Sequence, residues 1–359
     1  MSVRRCRAIA WLAVAASVLA FAGAPADRSV ILFDTLADPG RVGEEAIGLG
    51  ARPLLIVYEH YDGADPDAGR TGNIDAATLV QHIERKTGGS PPEWGLLDFE
   101  APFMEWMELG PGDPKWEIAT GRMRDAMRAV KRAFPNTKWS FYQVPYVRYW
   151  ISGKSWADSN PEQRQAAASR FLSQCAPVLV ECDWICPSVY CFYDPAAAPA
   201  SDAEGVRKAN RAWSLEQVRI ARSVAKGRPV VPIISPVWQN NGNAPVGAPV
   251  PISYLKEDVI EPALQGGATG FVVWTAFDYF IDCAVSGKQP DPREFDRASF
   301  AKHYLDGQLP ADWSDPTVAS TVRKKAGTVV LSAIKAIREL ESTVETPRSA
   351  GTDPGSRNP

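Results

Sequence analysis

Histidine is scarce in this chain: three residues in 359, against 42 acids and 39 bases. The six cysteines show no C-x-x-C pair and have no histidine near their cluster, which excludes a zinc ribbon. A net charge of only −3 excludes a basic nucleic-acid-binding surface as the main feature, and a disordered polyampholyte with it. Beyond the first 25 or so residues no stretch reaches the roughly 18 apolar residues of a membrane helix. No serine stands in a G-x-S-x-G turn, so no Ser-His-Asp hydrolase is indicated. No glycine-rich phosphate loop follows the first strand, which argues against a dinucleotide fold. What the chain does have is 45% apolar residues and an aromatic load of 12 Trp, 10 Tyr and 13 Phe. The bulk of it is expected to be globular.

The N-terminus reads as a targeting segment. Arg4, Arg5 and Arg7 precede an apolar stretch from Ala8 to Ala22, and two A-x-A patterns follow. A cut after Ala24 would leave Pro25 first, so cleavage after Ala26 is expected. The competing reading is an uncleaved anchor. Removing residues 1–26 takes three arginines and no acids, leaving a mature net charge of −6. The protein is expected to be exported to the periplasm or beyond. One or two disulfides are expected among Cys175, Cys182, Cys186, Cys191 and Cys283, with one thiol left over.

Along the mature chain, short apolar runs alternate with helical patterns. Ser29 to Asp34, Leu54 to Glu59, Trp94 to Glu100, Lys138 to Gln143, Ile185 to Phe192, Val230 to Val237 and Gly270 to Thr275 read as buried parallel strands. Between them lie helices opened by Asp75, by Asp113-Pro114 and by Asn160-Pro161, each a capping residue, twice followed by proline. Further helices are expected from Ala203 to Ala225, from Ser253 to Leu264 and from Asp315 to Glu341. Residues 344–359 read as a disordered tail. The resulting expectation is α/β: a distorted TIM-type (β/α) barrel with seven strands over 27–310, and a C-terminal helix, 311–343, packed on it.

The sharpest chemical signal is Asp98-Phe99-Glu100 at the carboxyl end of its strand. A strand places residues i and i+2 on one face, about 7 Å apart along the backbone. Barrel enzymes keep their catalytic groups at this end. Two such carboxylates cannot both ionise freely, so one can hold a proton at neutral pH. That suits Glu100 as general acid, with Asp98 kept negative. The competing readings are a Mg²⁺ or Ca²⁺ ligand pair, or a strand-end ion pair with an arginine. Tyr142, Tyr190, Trp238 and Trp274 fall at other strand ends. Each alone reads as core, but together with the carboxylates they suit the apolar faces of sugar rings. His60 could reach the same mouth, whereas His82 and His303 read as structural.

These segments resemble the hyaluronidases of glycoside hydrolase family 56. The likeness runs from about Gly72 to Tyr279. Gly72 to Ile83 resembles the family's glycine-rich turn and helix, leading into Gly95-Leu96-Leu97-Asp98-Phe99-Glu100. Trp139 to Pro145 is similar to W-G-F-Y-x-x-P, Cys186 to Tyr190 to Y-P-S-I-Y, and Gly267 to Trp274 to G-A-x-G-V-V-L-W. The resemblance implies a seven-stranded distorted barrel and a retaining mechanism in which the substrate's 2-acetamido oxygen is the nucleophile. Glu100 is then the acid/base and Asp98 orients the acetamido group. Tyr190 bonds the acetamido oxygen, and Trp274 walls the methyl pocket. No cofactor and no metal are implied.

The chain departs from the family at its rim. Ala101-Pro102-Phe103-Met104 replaces Trp-Arg-Pro, and a family tyrosine falls near Arg148, with Tyr146 and Tyr149 alongside. A family aspartate becomes Gln239 or Asn240, and Cys186 stands for the first tyrosine of Y-P-S-I-Y. The family's first-strand cysteine, partner of one near Cys283, is missing. Expected sugar contacts are Trp274, Tyr142, Trp238, Gln239 and Tyr149. The expected partner is a polysaccharide containing N-acetylhexosamine, bound by a monomer, with neither nucleic acid nor membrane involved after leader cleavage. Three other readings compete. One is a two-carboxylate glycosidase, with Glu59 or Asp278 opposite Glu100. Another is a silent glycan-binding barrel, and the last a metal-dependent hydrolase.

Overall fold

The computed structural model, which describes residues 30–34, 41–59, 72–151, 154–239, 246–275, 277 and 297–344, sets the apolar runs side by side in a curled parallel sheet. Its strands are β1 (Val30–Asp34), β2 (Ala51–Tyr58), β3 (Trp94–Asp98), β4 (Lys138–Phe141), β7 (Ile233–Ile234) and β8 (Gly270–Val273). Two further two-residue strands, β5 (Trp150–Ile151) and β6 (Lys154–Ser155), form a small antiparallel hairpin after β4 that the apolar pattern does not announce. The main sheet runs β4-β3-β2-β1-β8-β7.

The segment expected as a fifth long strand, Ile185 to Phe192, is not a strand. It makes isolated parallel bridges, Cys186 to Tyr142 on one side and Ile185 to Val230 and Ser188 to Ile233 on the other. Pro187 is the physical reason, since it brings no N–H to the ladder. Its carbonyl still accepts from the Ile233 N–H at 2.9 Å. Pro232 shortens β7 in the same way, and its carbonyl accepts from the Val272 N–H at 2.9 Å.

Alternation along the strands sorts side chains into two clusters. Leu32, Leu54, Ile56, Leu96, Val231, Ile233 and Val272 form one with Trp94, Trp184, Cys186, Tyr142 and Tyr190. No helix contributes to it, so it fills the concave side of the curl. Trp94 and Trp184 meet edge to face at 5.6 Å near the strand starts and close that end. The alternate residues, among them Phe33, Leu55, Val57, Leu97, Phe141 and Val273, face outward onto the helices.

The helices begin where capping residues permit. Asp75 accepts from the backbone N–H of Ala77 and Thr78 ahead of helix Ala76–Thr87, and Asp113 from Lys115 ahead of Pro114–Ala133. Asn160 and Gln163 form a reciprocal capping box at Pro161–Leu179. Helix Ala203–Val224 follows as expected. The expected helix over 253–264 is instead a π-helical turn, Leu255–Ile260, between short α turns at Ile252–Tyr254 and Glu261–Gln265. The long C-terminal helix, Pro316–Val344, packs against helix Arg41–Gly48; Gly327 comes so close to Val42 that a Cβ there would collide. No helix among the described residues is long and apolar enough to cross a membrane.

The four described cysteines, Cys175, Cys182, Cys186 and Cys191, are free and buried, so no disulfide joins any pair of them. Each behaves as a small apolar side chain, and burial pushes the thiols of Cys175 and Cys182 up to about 12 and about 11. The leader, His60, Asn240, Asp278, Cys283 and the tail lie outside the described residues.

Candidate active site

The carboxyl ends of β2, β3, β4 and β8 converge on one mouth. β3 ends at Asp98, so the two carboxylates do not share a strand as expected. Asp98 is buried at 9% exposure on the concave side, in register with Tyr58 of β2. Glu100, one turn-like step further, stands open at the rim. The neighbouring β2 ends in Glu59, 8% exposed, whose backbone N–H donates to the Asp98 carbonyl at 3.1 Å.

Three carboxyl groups therefore act on one another. Although Glu100 is exposed, protein atoms crowd its carboxyl; this desolvation and then the Glu59 charge push it up to about 7. Burial also pushes Asp98 well above the usual carboxylate range, reinforced by the charges of Glu100 and Glu59. Asp98 is thus not the group that the protein holds negative most easily: burial disfavours its anion, and the pair cannot both ionise cheaply. Its Oδ1 atom is buried with no hydrogen-bond partner. An orphaned buried acceptor is costly unless something arrives to satisfy it.

Aromatic side chains wall this acid. Tyr190 stacks on Trp274 at 5.5 Å and 17°, and lies 5.9 Å from Tyr142. The Tyr142 and Tyr190 hydroxyls hydrogen-bond each other, and both phenols lie within the fields of Asp98 and Glu100. The Gln143 amide Nε2 donates to the Tyr142 hydroxyl at 2.6 Å. Gln143 holds that place with φ of 57°, a left-handed conformation uncommon for a side-chain-bearing residue. Opposite, the Trp274 indole N–H donates to the Tyr58 hydroxyl at 3.2 Å. Tyr58, 42% exposed, is the aromatic residue that reading the sequence missed. Its signal was available, because it shares a strand face with Leu54 and Ile56.

Of the expected site residues, Glu100, Asp98, Tyr190, Trp274 and Tyr142 come together. Trp238, Gln239 and Tyr149 do not join them. Trp238 packs on Tyr254 at 4.9 Å in the outer cluster, because it lies past the end of β7, where the alternation no longer points inward. The Gln239 amide is used internally, donating to the Ser235 hydroxyl at 2.7 Å, while its backbone N–H donates to the Cys191 carbonyl. Tyr149 packs at a tilt against Tyr193 at 4.6 Å and against Trp213 at 5.7 Å, beside the helix Ala203–Val224. Arg148 lies nearer the rim: its guanidinium and Glu100 both act on Tyr146, whose phenol burial pushes up to about 12.

This arrangement can do proton chemistry. An acid that holds its proton near neutral pH stands at the lip, a second carboxyl with an unsatisfied oxygen lies beneath it, and flat aromatic faces flank both. No family model matches the chain, and no curated protein matches it. Among solved structures, bee venom hyaluronidase aligns at 16% identity and a TM-score of 0.47, over 70% of this chain and 92% of that one. The bee venom enzyme in complex with a hyaluronic acid tetramer aligns at 18% and 0.45, with the same coverage. An endo-β-1,4-mannanase from Thermotoga petrophila aligns at 14% and 0.39, over 82% of this chain and 60% of that one. Likenesses this weak say nothing of activity.

Proposed function

We propose that the chain is an endo-glycosidase that hydrolyses a polysaccharide containing N-acetylhexosamine, with retention and with the substrate's own acetamido oxygen as nucleophile. The observation that carries the reading is the buried, unpartnered Oδ1 of Asp98 beneath the stacked Tyr190 and Trp274. An acetamido N–H satisfies that oxygen, and the aromatic wall takes its methyl group. Seated so, the acetamido oxygen approaches the anomeric carbon while Glu100 protonates the leaving glycosidic oxygen. Glu100 then draws a proton from the incoming water. Tyr190 bonds the acetamido oxygen, and Tyr142, fixed by Gln143, holds the Tyr190 hydroxyl in place. No second enzyme carboxylate is needed across the bond.

The wider reading belongs to the same proposal. Residues 1–26 are a leader, the mature protein is exported and works as a monomer, and the bridges from Ile185 to Ser188 close the curled sheet into a seven-membered barrel.

One observation favours a second reading. Glu59 is buried beside both other carboxylates, where it could act as an enzyme nucleophile. The test for both is reducing-end release from chitin oligomers, hyaluronan, chondroitin and peptidoglycan, alongside matched substrates without the acetamido group. Release confined to acetamido sugars, and lower by roughly 10²–10⁴-fold in Glu100→Gln, is the expected result. Equal cleavage of sugars without it would select the two-carboxylate mechanism, and full activity in Glu100→Gln would sink both.

A further inference from the structure

We propose that Gln143 is a positioning residue: by donating to Tyr142, its side-chain amide keeps the Tyr142–Tyr190 pair with one phenol proton turned to the pocket, where it meets the oxygen of an acetamido group. The inference rests on the glycosidase reading above and adds to it the residue that sets the polarity of the pocket.

Successive side chains of a strand point to opposite faces, so residue 143 would not meet the hydroxyl of residue 142 if β4 simply ran on. The chain instead turns at Gln143, with φ of 57°, and the turn lays its amide against the Tyr142 hydroxyl, Nε2 to oxygen 2.6 Å. Glycine or asparagine takes such a backbone at less cost. Glycine has no amide to offer, and asparagine is one methylene shorter. A long amide held in a strained seat beside reactive groups points to a role for that amide.

The role follows from the hydrogen-bonding capacity of the three groups. Tyr142 and Tyr190 are both buried, and burial holds both phenols neutral, reinforced by the charges of Asp98 and Glu100. Each phenol therefore has one proton to give. One of the two is spent in the hydrogen bond between the hydroxyls. The other has no way out through Gln143, because Nε2 only donates. Whichever phenol carries it, that proton has no acceptor among the three groups and is left for the pocket. Asp98, whose charge acts on both phenols, contributes the unpartnered Oδ1. One donor and one acceptor are the complement of a secondary amide, whose carbonyl and N–H are separate atoms. A ring hydroxyl has a single oxygen for both.

The experiment measures equilibrium binding of chitin hexamer and cellulose hexamer to the full chain carrying Glu100→Gln, so that neither is cut. Reducing-end release from chitin hexamer is read separately with Glu100 intact. Chitin hexamer should bind at least about tenfold more tightly than cellulose hexamer. Gln143→Met, which keeps the length and loses the donor, should shrink that ratio about three- to tenfold. Gln143→Gly, which suits the backbone, should shrink it as much. Gln143→Glu, read at about pH 8 where its carboxyl is ionised, should shrink it further, because a carboxylate takes the phenol proton that the pocket needs. In a Tyr142→Phe background none of the three should have a further effect, since Gln143 acts through that hydroxyl. A ratio unchanged in either Gln143→Met or Gln143→Gly, or kept in Gln143→Glu, overturns the inference. So does a further loss on top of Tyr142→Phe, or a chain that binds both hexamers alike or neither. Chitin cleavage with an unmoved ratio overturns the inference and leaves the glycosidase reading standing. No cleavage, with the ratio falling as expected, overturns the glycosidase reading and upholds the role of Gln143.

Discussion

Two residues apart, Asp98 and Glu100 meet water very differently, one buried on the concave side of the sheet and the other at the rim. That difference divides their work. Under the proposed mechanism Glu100 exchanges protons with solvent and with a leaving group, while Asp98 holds what enters the pocket. Glu100, pushed up to about 7, acts as an acid only while protonated, so activity should fall as pH rises through about 7. Part of the shift comes from the negative charge of Glu59. Removing that charge makes the Glu100 anion easier to form, so Glu59→Gln should move the alkaline limb of kcat/KM to lower pH. A limb unmoved in Glu59→Gln would mean that burial alone sets the acid. The D-x-E pair itself was legible in the sequence because alternation names the face of a strand residue. The burial of Asp98, which makes its anion costly, was not, since it depends on Tyr142, Tyr190 and Cys186 arriving from segments distant in sequence.

At the scale of elements, local chemistry predicted starts better than interiors. Asp75, Asp113 and Asn160 cap their helices as their positions in the sequence imply, because a cap needs only its own next three residues. Proline made the opposite difference. The run Ile185 to Phe192 is apolar enough for a strand, yet Pro187 breaks its ladder into bridges. Glycine on β3 is a case of close approach. A Cβ on Gly95 would run into the ring of Trp139, itself fully buried on β4 beside Phe134. Gly95→Ala should therefore cost about 1–3 kcal/mol in urea unfolding, through a displaced indole rather than a lost contact. A neutral result would show that Trp139 has room to turn.

The molecule as a whole is tied together at the end remote from the mouth. Helix Pro316–Val344 returns to the turn between helix Arg41–Gly48 and β2, where Arg338 donates to the carbonyls of Leu49 at 3.2 Å and Gly50 at 2.8 Å. The same guanidinium donates to Glu341 at 2.8 Å, and Lys256 pairs with Glu339 on the same helix. These contacts sit at the strand starts, so they bear on stability and not on chemistry. Arg338→Ala should lower unfolding stability by about 1.5–3 kcal/mol while leaving kcat/KM unchanged. A change in kcat/KM larger than the change in stability would show that the helix also shapes the mouth.

Sequence alone determined the apolar runs, the helix starts and the carboxylate pair, because each depends on neighbours two to four residues away. Tertiary structure decided which aromatic residues gather round the carboxylates. Tyr58, Tyr142, Tyr190 and Trp274 come from four separate segments and meet only because the sheet curls, whereas Trp238, Gln239 and Tyr149 are carried outward against helices or used to tie backbone. Periodicity says that two side chains share a face. It does not say which face becomes concave, since that depends on the sum of packing across every strand and helix at once.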